Sequence, residues 1–186
     1  MIELPDTRLL VAEILGALKD VAQLDEFERR RRGNWTDAIC GALEQRLSAR
    51  IPDIECTFGS QARGERREWL FDFIACACET SGKIDNPGER YLSQAFVVGE
   101  IGFQGDPGHD LEKLFIVDSL VCFFVFPDWL PIESPPDSNL DFFTGLAERR
   151  IHHVAARGAT PPPVFVISRY SSPEREFQSK VVGLPN

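Results

Sequence analysis

The apolar period of this chain changes at Pro52, and that change constrains the fold more than any other feature. Before it, apolar residues recur at the 3.6-residue spacing of amphipathic helices; after it, they gather into short runs of strand length. On the helical side, Val11, Ile14, Leu15, Leu18, Val21 and Ala22 predict a first helix from about Asp6 to Arg31. Gly33 and Asn34 interrupt it, and Asn34 can cap a second helix from Trp35, with Asp37 in its first turn. Trp35, Ile39, Ala42, Leu43 and Leu47 form the inward stripe of that helix, which Pro52 ends.

On the strand side, the candidates are Ile54–Phe58, Glu68–Cys78 (EWLFDFIACAC), Ala95–Phe103 (AFVVGEIGF), Val121–Phe126 (VCFFVF) and Val164–Tyr170. Residues 79–92 are polar and carry Gly82, Pro87 and Gly88, the composition of a loop. Asp106 with Pro107 opens a helix to about Asp118, and Leu140–Ala156 is a helix stopped by Gly158. The tail from Ser171 is polar and reads as edge material or loose chain.

The order ααβββαβαβ predicts an α/β fold with a mixed central sheet of four to six strands, flanked by helices on both faces. The short connections among the first three strands imply an antiparallel meander. The strand–helix–strand run that follows implies parallel crossovers. At 186 residues the chain is expected to form a single α/β domain, with an N-terminal helix over 1–33, a core over 34–170 and a tail over 171–186.

Composition narrows the classes. Hydrophobic residues at 43% and charged residues at 26% exclude a disordered or collagenous chain. The longest apolar run, Ser119–Phe126, falls well short of the ~18 residues of a membrane span, so no membrane partner is expected. The opening MIELPDTRLL has acids where a secretory signal has a basic segment, which predicts a cytoplasmic protein. A net charge of −9 argues against wholesale electrostatic capture of nucleic acid. The charge is uneven, however: residues 1–67 are net −1 and residues 68–186 net −8. Both arginine groups, Arg29–Arg32 and Arg63, Arg66 and Arg67, lie in the near-neutral part, so a local phosphate partner stays compatible.

The five cysteines include no CxxC pair and read as small buried hydrophobes rather than zinc ligands. His152 and His153, late in a helix, read as surface residues. The conspicuous residues are two acids inside adjacent apolar strands, Asp72 and Glu100. An ionised carboxylate in a sheet interior is costly unless compensated, and a divalent cation is a natural compensator. Strands lie ~4.8 Å apart, so two acids at one height can share an ion. Hard oxygen ligands favour Mg²⁺ or Mn²⁺. The competing reading puts each acid at a strand end, solvated or paired with an arginine such as Arg63 or Arg67. A second feature is the polar stripe His109, Asp110 and Lys113 on the helix after the Glu100 strand, which is otherwise an ordinary solvated face.

Together EWLFD, AFVVGEIGF, HDLEKLF and VCFFVFP resemble an uncharacterised branch of the PD-(D/E)XK, or restriction-endonuclease-like, superfamily over roughly residues 35–126. The resemblance implies a restriction-endonuclease-like αβββαβ core with an added N-terminal helix. It implies Asp72 and Glu100 as metal-binding acids for Mg²⁺ or Mn²⁺, with Glu44 of the first core helix assisting. It also implies metal-dependent phosphodiester hydrolysis, with nucleic acid as partner and Arg63, Arg66 and Arg67 as phosphate contacts. The sequence departs from the pattern at the lysine, because Gly102 stands two residues beyond Glu100. Lys113 is the candidate replacement. The alternative is a fold kept without catalysis: a protein-binding module, immunity-like or accessory, whose acidic surface docks on a basic protein partner. Oligomeric state is not legible in the sequence.

Overall fold

The computed structural model describes residues 4–25, 35–58, 71–80, 90–102, 107–128, 136–156 and 163–184. Within them lie four helices, α1 (Thr7–Ala22), α2 (Trp35–Arg50), α3 (Pro107–Leu114) and α4 (Pro136–Ala155). Six strands form one mixed sheet in chain order: β1 (Ile54–Phe58), β2 (Phe73–Thr80), β3 (Arg90–Ile101), β4 (Ser119–Pro127), β5 (Val164–Ser171) and β6 (Glu176–Val182). β1, β2 and β3 pair antiparallel, β3, β4 and β5 pair parallel, and β6 returns antiparallel to β5. The meander and the parallel run are as the connection lengths imply.

Strand alternation divides the core into two layers. Phe73, Ala75, Val97, Phe123, Val125 and Val166 face α1 and α2. Ile74, Cys76, Val98, Cys122, Phe124, Phe126 and Ile167 face α3 and α4. The central strands β4 and β5 are buried almost throughout, which accounts for their unbroken apolar runs. Gly99 is required by the first layer: a Cβ there would lie 2.0 Å from the Phe123 ring.

Several boundaries differ from the sequence reading. α1 closes at Ala22, not Arg31, because its last buried residue is Val21 and the backbone tightens there. Gln23 N–H donates to Asp20 O at 3.3 Å and Leu24 N–H to Val21 O at 3.1 Å. α3 stops at Leu114 rather than near Asp118, again through three-residue bonds from Phe115 and Ile116. The polar tail is an edge strand, β6, joined to β5 by a turn in which Arg175 takes φ 54°. Its mostly exposed side chains explain why it lacks an apolar signal. Asn34 and the run Arg29–Arg32 lie outside the described residues, as do Arg63, Arg66 and Arg67. No helix among the described residues is long and apolar enough to cross a membrane.

Candidate active site

Asp72 does not lie in the middle of a strand: β2 begins one residue later, at Phe73. The correction moves it to the end of the sheet where β3 finishes. In the antiparallel register Phe73 pairs with Gly99, so the next pair outward is Asp72 and Glu100. Both belong to the face that carries Ile74 and Val98, the α3 and α4 side. Asp72 Oδ2 accepts from the Ile101 N–H at 2.8 Å, which fixes the carboxylate across the strand ends.

Glu100 is only 3% exposed. It is paired in register with Phe124, whose ring stacks on Phe126 and meets Phe143 edge-on. This aromatic wall makes one side of the site apolar. α3 supplies the other side. Its polar stripe divides, with His109 exposed and Asp110 and Lys113 turned toward the strand end. Lys113 Nζ lies 2.9 Å from Asp110 Oδ1 and 3.4 Å from Glu100 Oε2. Glu100 Oε1 is buried and has no hydrogen-bond partner among the described residues.

The charges act on one another strongly. Burial, and then the neighbouring Asp72, push the Glu100 carboxyl from 4.5 up to about 8, against the pull of Lys113. Burial likewise raises Asp72, although the Ile101 N–H bond opposes the rise. Burial works against the Lys113 ammonium but is outweighed by Asp110 and Glu100, so its pKa is raised. Near neutral pH the pair therefore holds a proton that a bound cation would displace.

Asp72, Glu100 and Lys113 thus come together, and Asp110 joins them. Glu44 does not: it lies on α2, which packs on the opposite face of the sheet. Its charge is felt by Cys40 and Cys56, whose thiols burial raises, to about 12 for Cys56. α2 itself reaches the edge of the site, where Cys40 Sγ donates to the Asp72 carbonyl oxygen at 3.7 Å. Asp110 was visible as part of the polar stripe, but nothing in the sequence separated it from a solvated acid.

Asp72 keeps Oδ1, and Glu100 keeps Oε1, outside the bonds just described. Two hard oxygens at one strand end fit a Mg²⁺ or Mn²⁺ ion, which takes one or two carboxylates and retains waters. No group of three or more His, Cys, Asp or Glu suited to a metal occurs among the described residues, so any such site rests on this pair. Comparisons of the chain with family models, curated proteins and solved structures found no significant match.

Proposed function

We propose that the protein is a cytoplasmic, metal-dependent nuclease-like protein of the PD-(D/E)XK kind, with Asp72 and Glu100 as the metal-holding acids. The observation that carries this reading is the buried Glu100 Oε1, without a hydrogen-bond partner among the described residues, beside a second carboxylate at the end of the sheet. A buried unsatisfied carboxylate oxygen is costly, and a cation with its waters relieves that cost. When bound, Mg²⁺ or Mn²⁺ lowers the pKa of a coordinated water and neutralises phosphate charge. Asp72 and Glu100 would hold that ion. Lys113 has three N–H donors; two face Asp110 and Glu100, and the third is available to steady the attacking water or the scissile phosphate. Arg63, Arg66 and Arg67, preceding Asp72 in sequence, are the proposed contacts to the flanking nucleic-acid backbone.

One observation favours a second reading. Lys113 already places a positive charge 3.4 Å from Glu100, and residues 68–186 are net −8. A fold that has replaced its metal with an ammonium would serve as a non-catalytic protein-binding module with a basic partner. Cleavage of plasmid and single-stranded DNA with Mn²⁺ separates the two. The nuclease reading expects wild type to cleave, and Asp72→Asn to lose at least about 100-fold in rate. No cleavage of either substrate with Mg²⁺ or Mn²⁺ would favour the binding module.

A further inference from the structure

Gly102 is two residues beyond Glu100, just past the end of β3, and its backbone is held by an N–H bond to Val125 O at 2.8 Å. The missing side chain does not leave open space. A Cβ at Gly102 would come within 3.2 Å of Asp110 Oδ2 and 3.4 Å of Phe124 Cε2. The carboxylate of Asp110, reaching across from the first turn of α3, fills that position. Its other oxygen, Oδ1, accepts from Lys113 Nζ at 2.9 Å, and the same ammonium faces Glu100 Oε2 at 3.4 Å.

We propose that Asp110 is a positioning residue: it occupies the space a side chain at residue 102 would claim and holds the Lys113 ammonium against Glu100. A lysine on an exposed helix gains little from an acid three residues away, because both side chains stay mobile in water. Here the Lys113 side chain is 24% exposed and that of Asp110 19%, so the pair is largely withdrawn from solvent. The bare Gly102 backbone lets the carboxylate approach. Glycine at 102 and acid at 110 are therefore two halves of one arrangement. A larger residue at 102 would push the acid away, and the lysine with it. The placement of Lys113 stands on this geometry alone; its catalytic consequence rests on the nuclease reading given above.

Acylation of the folded protein with a small amine reagent, read lysine by lysine by peptide mass spectrometry, tests the placement. Lys180, whose side chain is 47% exposed, is the internal reference. Asp110→Ala is expected to raise the Lys113 rate, relative to Lys180, by about tenfold, as loss of a charge-assisted hydrogen bond requires. Gly102→Ala, whose Cβ would crowd the Asp110 carboxylate at 3.2 Å, is expected to raise it by a smaller factor. Circular dichroism confirms that both variants are folded. A Lys113 rate in Asp110→Ala equal to that of wild type would overturn the proposal. Steady-state cleavage with Mn²⁺ tests the consequence: Asp110→Ala is expected to lower kcat at unchanged KM, and Asp110→Ala with Gly102→Lys to recover it. An unchanged kcat in Asp110→Ala would remove the positioning role. If wild type does not cleave, the nuclease reading fails and the acylation result alone decides where Asp110 holds Lys113.

Discussion

Glu13 and Glu100 are both buried, at 6% and 3% exposure, and each faces a cation from a neighbouring helix. At Glu13, between α1 and α2, both oxygens are engaged. Oε2 accepts from Arg46 Nη1 at 3.0 Å, and Oε1 lies 3.5 Å from Arg50 Nε. Arg46 also reaches Asp20 at 2.8 Å, and it passes so close over α1 that a Cβ at Gly16 would lie 2.6 Å from its guanidinium. At Glu100 only Oε2 is met, by Lys113, and Oε1 has no partner among the described residues. The first arrangement is a closed network that ties two helices together. The second leaves an oxygen without a partner among the described residues. Burial of an acid does not by itself separate the two; the count of satisfied oxygens does.

The largest expected effect that would sharpen this contrast is on pH dependence. The unfolded value of Glu100 is 4.5 and its folded value about 8, so between those limits the folded chain holds a proton that the unfolded chain has released. Stability therefore falls as pH rises through that window, by about 1.4 kcal/mol per pH unit at the steepest. Asp72, also raised by burial, acts with the same sign. Urea unfolding of the metal-free protein at pH 5 and pH 8 should show this loss, and Glu100→Gln should remove most of it. A wild-type profile as flat as that of Glu100→Gln would break the distinction between the two glutamates.

A smaller effect is expected at the closed network. Arg46→Ala leaves Glu13 buried with only the more distant Arg50, at a cost of about 2 kcal/mol. That is below the value for a fully buried pair, because the Arg46 side chain is 34% exposed. Thermal unfolding at pH 7 measures it, and an unchanged midpoint would show that the network braces nothing. The smallest effect is expected for Lys113→Met, at about 1 kcal/mol near pH 9, where Glu100 is ionised, and less at pH 5, where it is protonated. An equal loss at both pH values would mean that Lys113 contributes packing rather than charge.

Much of this contrast was legible in the sequence on one side only. Glu100 stood out because an acid interrupts an otherwise apolar run, and Asp72 did so for the same reason, although its strand starts one residue later. Gly102 was visible as a gap in a pattern, and Lys113 as the nearest cation on the following helix. Glu13 was not visible as a buried acid. On an amphipathic helix charged residues are expected on most positions, and only the packing of α2 over α1 buries this one. For Glu44, spacing along α2 gives the stripe but not which sheet face the helix covers. The tail could be read only as edge material or loose chain, because an edge strand needs no apolar alternation when both its faces are largely exposed.

The most direct test of the central claim is calorimetric titration of Mn²⁺ at pH 8 into wild type, Glu100→Gln and Glu13→Gln. The account predicts one ion bound by wild type with release of a proton, similar binding by Glu13→Gln, and affinity weakened at least about tenfold in Glu100→Gln. Wild-type binding that survives Glu100→Gln unchanged, or no Mn²⁺ binding by wild type at all, would contradict it.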